Sequence, residues 1–76
     1  MKPIKTASTS MTYYGPTADI GNLPCNRMQT GQISSVWKPS PDERRMIAEG
    51  GNIEVVLYTE PIPPLSVMAT DEQEVA

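Results

Sequence analysis

The chain has 76 residues, with eight Pro, five Gly, one Cys, one Trp, three Tyr and neither His nor Phe, and six basic against nine acidic side chains give it a net charge of −3. A pI near 4.6 argues against delocalised nucleic-acid binding, which needs a basic surface to neutralise phosphates. The single Cys25 rules out an internal disulfide and, without His, an ordinary zinc or haem site, so no cofactor or metal is expected.

A domain of this length buries only about 60 to 65% of the surface that its unfolded chain exposes. With so few large apolar side chains the core must be thin, and self-association or a partner is expected to supply further burial. Asp71, Glu72 and Glu74 concentrate acid near the end of the chain, leaving residues 1–70 formally neutral and a local basic patch feasible. No stretch approaches the roughly 20 apolar residues that cross a bilayer. Lys2 and Lys5 lead into small polar residues and not into an apolar run, so the start does not read as a secretory signal. A lone cysteine fits a reducing, cytoplasmic compartment.

Residues 1–10 are small and polar, with Pro3 and no periodicity, and read as an extended arm. Met11-Thr12-Tyr13-Tyr14 reads as a short strand stopped by Gly15-Pro16. Residues 17–30 mix Asp19, Gly21, Asn22, Pro24 and Asn26 with Ile20 and Leu23, which reads as a loop pinned by a few buried side chains. Loops that long in small domains are often functional or interfacial.

Gly31 opens Gln32-Ile33-Ser34-Ser35-Val36-Trp37, a short strand with Ile33 and Trp37 on one face and Val36 on the other. The helix that follows, residues 41–49, is marked at both ends. Ser40 suits the N-cap, Pro41 the first helical position and Glu43 the third, completing a capping box. Asp42 and Glu43 put negative charge at the positive end of the helix dipole, and Gly50 is placed to end it in the left-handed conformation. Met46, Ile47 and Ala48 form a narrow apolar stripe for the sheet, while Arg44 and Arg45 reach solvent.

Residues 53–58, Ile-Glu-Val-Val-Leu-Tyr, form the best strand pattern in the chain, with Ile53, Val55 and Leu57 on one face. The other face carries Val56 and Tyr58 and is too apolar for a solvated surface, so it is expected to meet the N-terminal arm or another subunit. The prolines of Thr59-Glu60-Pro61-Ile62-Pro63-Pro64 make a stiff connector. Leu65-Ser66-Val67-Met68-Ala69 then returns as a second alternating strand, antiparallel to the first. Residues 71–76 read as a flexible acidic tail. The expected fold is a small single α+β domain, one short helix on a small, mainly antiparallel sheet in the order β-α-β-β. It divides into an arm and loop over residues 1–30, a core over 31–70 and the tail.

Chemistry is sparsely marked. Cys25 beside Arg27 has the surroundings of an activated thiolate but no histidine base, and a small apolar filler or incidental thiol is the simpler reading. Adjacent helical carboxylates point apart, so capping accounts for Asp42 and Glu43 better than acid–base work does. Arg27, Lys38, Arg44 and Arg45 are candidates for an anion site because guanidinium groups grip phosphates and carboxylates in forked geometry, although a solvated helix face explains Arg44 and Arg45 equally well. Tyr13 and Tyr14 are candidates for stacking, and Trp37, Val56, Tyr58, Ile62 and Leu65 for an interface. Gly50-Gly51 follows a helix and does not lead into one, so it is a stop and not a phosphate loop.

Taken in order, Ser35-Val36-Trp37 with Pro39, Asp42-Glu43-Arg44, Ile47-Ala48, Gly50-Gly51 and Glu60-Pro61-Ile62-Pro63-Pro64 resemble short accessory proteins of tailed bacteriophages, a group with no activity to carry over. The resemblance spans residues 31–69, with a fainter echo at Leu23-Pro24-Cys25. It implies a viral product acting in the host bacterial cytoplasm and transfers no functional residues. The combined expectation is a small non-enzymatic protein, a homo-oligomer, that binds a host or phage macromolecule. Two alternatives are sequestration of a nucleotide or other anionic small molecule between subunits, through the basic residues and Tyr13 or Tyr14, and a minor structural role in the virion.

Overall fold

Short β-compatible runs, interrupted by Pro, Gly and small polar residues, can pair only in ladders a few residues long. The computed structural model of the protein follows that rule, with strands β1 (Lys2–Ile4), β2 (Met11–Tyr13), β3 (Leu23–Arg27), β4 (Ile33–Ser34) and β5 (Val36–Lys38) and one helix, α1 (Pro41–Ala48). Residues 1–15, 21–58 and 64–75 are described. Pro16, Asp19 and Ile20 of the expected break and loop, residues 59–63 of the proline connector including Ile62, and Ala76 lie outside the described residues. The protein is a small α+β domain with two antiparallel sheets, β1-β5 and β2-β3-β4.

The N-terminal segment, expected as an extended arm, supplies β1. Its register against β5 places Lys2 opposite Lys38, Pro3 opposite Trp37 and Ile4 opposite Val36. Pro3 is tolerated because a strand of a two-stranded sheet has a free edge, where no ladder donor is missed. The expected loop around Leu23 is instead the central strand of the second sheet. Met11, Thr12 and Tyr13 oppose Cys25, Pro24 and Leu23, while Asn26 and Arg27 oppose Ser34 and Ile33. Pro24 reads as a breaker, yet β4 pairs only with the far end of β3, so the missing N–H falls where one neighbour alone is present.

Five residues, Met28 to Gln32, join β3 to β4. The Gly31 amide donates to the Met28 carbonyl at 3.0 Å, the Met28 amide donates to the Gln32 carbonyl at 2.8 Å, and Gly31 has φ +88°. This is the pairing of a tight turn with a left-handed glycine that fits the twist of a hairpin. The strand expected over residues 32–37 is split at Ser35: its first half joins β3 and its second half joins β1. Strands that change sheet in this way make the corner between two packed sheets.

The core sits where the sheets meet. Ile4 is 7% exposed and Cys25 2%, and Thr6 is buried as well. Thr6 is satisfied locally. Its amide donates to Thr9 Oγ1 at 2.9 Å, its carbonyl accepts from the Thr9 amide at 3.1 Å, and its hydroxyl accepts from the Ser8 amide at 3.3 Å. The Ser10 amide then donates to the Cys25 carbonyl at 2.9 Å, and Ser10 Oγ accepts from the Arg27 amide at 3.0 Å, so the turn is tied to β3.

Both ends of α1 form as the residues dictate. The Glu43 amide donates to Ser40 Oγ at 3.1 Å and the Ser40 amide donates to Glu43 Oε1 at 2.8 Å, a complete capping box. At the other end Gly50, φ +97°, donates to the Ile47 carbonyl at 3.0 Å and Gly51 to the Met46 carbonyl at 2.9 Å. Those two bonds make a Schellman motif with Glu49 as C-cap. The helix nevertheless buries none of its residues, and Met46 is 62% exposed. The expected packing of its stripe on the sheet does not form.

Residues 53–58 and 65–69, expected as the two strands beyond the helix, form neither strand nor helix. The expected β-α-β-β order is therefore replaced, among the described residues, by five strands followed by one helix. Alternation and β-branching fit a segment to a pleated surface, but a strand exists only when another strand takes up its N–H and C=O groups. Among the described residues, no backbone partner pairs with 53–58 or 65–69. Among the described residues, the strands expected to cover Met46 are thus not formed.

The acidic tail, expected to be flexible, is held. The Val75 amide donates to the Lys5 carbonyl at 2.9 Å, Ser8 Oγ donates to Glu72 Oε1 at 2.6 Å, and Lys38 Nζ lies 3.0 Å from Glu74 Oε1. Glu74 thereby offsets the facing of Lys2 and Lys38 across the ladder, where like charges repel.

Two predictions follow from the helix ends. A Cβ on Gly51 would stand 2.7 Å from the Met46 carbonyl oxygen, so Gly51→Ala must break the Schellman bond, while Gly50→Ala must force alanine into the left-handed region at a cost of about 1 to 2 kcal/mol. Each variant is expected to lower the Tm by several degrees and to speed amide exchange at positions 50 and 51; unchanged exchange would refute the cap. Glu43 also receives the Met1 ammonium at 2.7 Å. That ammonium first, and the Ser40 amide second, hold its carboxyl below the ordinary glutamate range. Its contribution is therefore fully present above about pH 4.3, the unfolded glutamate value, and is lost as pH falls through the lower folded value. Glu43→Gln should remove the part of the acid-induced loss of helical signal that this group causes, as read by circular dichroism from pH 6 to pH 2.

Candidate functional site

The basic candidates lie on separate elements. Arg27 is on β3, Lys38 on β5, and Arg44 and Arg45 on α1. Each has a partner within the chain. Lys38 pairs with Glu74, Arg45 Nη2 contacts Asp42 Oδ1 at 2.9 Å one helical turn away, and Arg44 Nε donates to the Pro39 carbonyl at 3.3 Å. Exposed pairs of this kind contribute at most about 1 kcal/mol and exchange readily with other anions. Of the proposed anion and stacking residues, one pair is brought together: Arg27 Nη2 donates to the Tyr13 hydroxyl at 3.4 Å, across neighbouring strands β2 and β3. Tyr14 follows as an exposed residue just beyond β2.

Cys25 is enclosed in the core opposite Met11. It fills space there, and a thiol so enclosed has no route to a substrate. Asp42 and Glu43 are engaged with Arg45 and with the capping box respectively. A shallow depression of about 220 Å³ is lined by Lys5, Thr9, Ser10, Met11 and Thr12. Among the described residues no three His, Cys, Asp or Glu side chains are grouped to hold a metal ion, and no helix is long and apolar enough to cross a membrane.

The apolar candidates present a different picture. Trp37 is half exposed on β5, opposite Pro3, with Nε1 donating to Ser35 Oγ at 2.9 Å. Val56 and Leu65 are exposed, and Tyr58 is 95% exposed. Ile62 falls outside the described residues. Exposure also extends to Ile53, Val55 and Leu57, read from the sequence as one face of a strand, and to Val67 and Met68 of the second expected strand. The sequence signal in residues 53–58 was the second apolar face, Val56 and Tyr58, and it did not extend to these residues. A strand with two apolar faces needs cover on both, and a domain with so small a core has little to offer.

The dominant surface feature is therefore exposed apolar chain, β-like in sequence, whose main chain has no backbone partner among the described residues. Such segments pair with other strands, as in β-augmentation, where the main chain supplies affinity and the side chains specificity. No protein-family model, curated protein or solved structure matches this chain.

Proposed function

We propose that this chain is a small non-enzymatic protein that self-associates and binds a host or phage macromolecule, an accessory product of a tailed phage acting in the bacterial cytoplasm. One observation carries the binding role. The chain exposes 6715 Å², whereas a folded monomer of 8.3 kDa exposes about 4,600 Å². The excess, about 2,100 Å², is more than the roughly 800 Å² that one partner buries in a standard interface. The Cα radius of gyration tells the same story, at 13.5 Å against about 11 Å for a compact domain of this length. Among the described residues, the large apolar side chains between Ile53 and Met68 are 41% to 95% exposed. Surface of that kind is covered by association in soluble proteins. The accessory role in a phage rests on the sequence resemblance alone.

A second reading, sequestration of a nucleotide or similar anion, is favoured by the Tyr13–Arg27 contact, which sets an aromatic ring beside a guanidinium group. A base stacked on the ring and a phosphate on the guanidinium would use both.

Native mass spectrometry of the full chain, joined to a thermal-shift panel of nucleotides, tests the two together. A ligand-free oligomer is expected, with pull-downs from infected cells then recovering a protein partner. A monomer at micromolar concentration that unfolds cooperatively and independently of concentration would refute the proposal. A nucleotide at 100 times its dissociation constant adds about 2.7 kcal/mol, a shift of roughly 10 °C or more for a domain of this size. Such a shift would transfer support to the second reading.

A further inference from the structure

We infer that the self-association has a defined geometry: residues 53–58 pair antiparallel with the same residues of a second copy, about a two-fold axis passing between the two Val55 residues. The inference rests on the homo-oligomer reading and specifies its interface. Ile53, Val55, Val56, Leu57 and Tyr58 are 41% to 95% exposed, so the apolar surface of the segment is open to a second copy.

The segment complements itself. With Val55 opposite Val55, Ile53 of each copy lies opposite Leu57 of the other, and directly opposed residues share a face. Ile53, Val55 and Leu57 of both copies then form one unbroken apolar face. Glu54, the segment's single charge, lies opposite Val56 and never opposite its own counterpart, so the pairing brings no like charges together. A slip of one residue would set Val55 opposite Val56 and mix Glu54 into the apolar face, which register selection disfavours. The same pairing satisfies main-chain groups that have no partner among the described residues of the chain. An isologous contact of this kind closes after two copies and does not propagate into a filament.

Cysteine cross-linking in the full chain reads the register. In the proposed pairing the two Cβ atoms at position 55 lie about 4.5 to 5.5 Å apart, close to disulfide reach. The two at position 58 are offset by six residues, about 20 Å. Under mild oxidation Val55→Cys is expected to give a covalent dimer at least tenfold faster than Tyr58→Cys, with peptide mapping placing the bond at position 55 and not at the enclosed Cys25. Val55→Asp, which sets two carboxylates face to face, is expected to weaken the dimer at least tenfold in sedimentation while leaving the circular dichroism of the strands and helix unchanged. If the wild-type chain is an oligomer but position 55 does not cross-link preferentially, or Val55→Asp leaves association unaltered, the strand pairing is overturned and self-association stands. A wild-type monomer would overturn both.

Discussion

The ladder between β1 and β5 holds together parts of the chain that are far apart in sequence. Pairing of Lys2, Pro3 and Ile4 with Lys38, Trp37 and Val36 carries Met1 to the start of the helix, where its ammonium meets Glu43. It also buries Ile4 against the β2-β3-β4 sheet and lays Lys5 and Ser8 where the tail can bind them. Remove this three-residue ladder and the helix, the tail and half of the core lose their attachment at once. Closing a loop of that length is costly in entropy, so the ladder depends on the contacts it makes possible as much as they depend on it.

Polar chemistry carries an unusual share of that mutual support. Ile4 and Cys25 are the buried apolar side chains among the described residues, and two such side chains stabilise by only a few kcal/mol. Around them stand the Thr6–Thr9 turn, the Ser10 bridge to β3, the capping box and the tail contacts of Glu72 and Glu74. Each net hydrogen bond contributes about 1 kcal/mol. Together they fix one arrangement of a chain whose apolar interior is too small to select it. Such a fold is sensitive to acid and salt in a way that a well-packed core is not.

Local signals were legible and distant ones were not. Ser40, Pro41, Glu43, Gly50 and Gly51 act within a few residues of themselves, and the helix with both its caps follows from them directly. The strand at Met11 was legible from its aromatic neighbours. Leu23 to Arg27 was not, because Pro24 and Asn26 signal a turn and their tolerance depends on which end of β3 meets β4. Pairing of β1 was equally hidden, since Lys2-Pro3-Ile4 has no alternation to display and gains strand character only from β5. At the candidate interface, an expectation that Val56 and Tyr58 meet a partner could be read from the second apolar face of 53–58. The exposure of Ile53, Val55 and Leu57 could not be read, because it depends on a sheet partner being absent among the described residues.

The contrast between α1 and residues 53–58 shows why pattern alone decides one and not the other. A helix closes its hydrogen bonds within itself, so caps and propensity suffice to place it even when, as here, it buries nothing. A strand cannot do so. The run Ile-Glu-Val-Val-Leu-Tyr has the stronger pattern of the two, yet it is without a backbone partner among the described residues, because the sheets that form are filled by shorter segments with weaker patterns. β1 and β5 engage each other through Ile4 and Val36 and anchor the core; Glu54 placed within that anchor would bring a charge to it. Leaving the strongest strand pattern outside the intramolecular sheets, with one charge to discourage indiscriminate stacking, is what an edge reserved for a specific second strand requires.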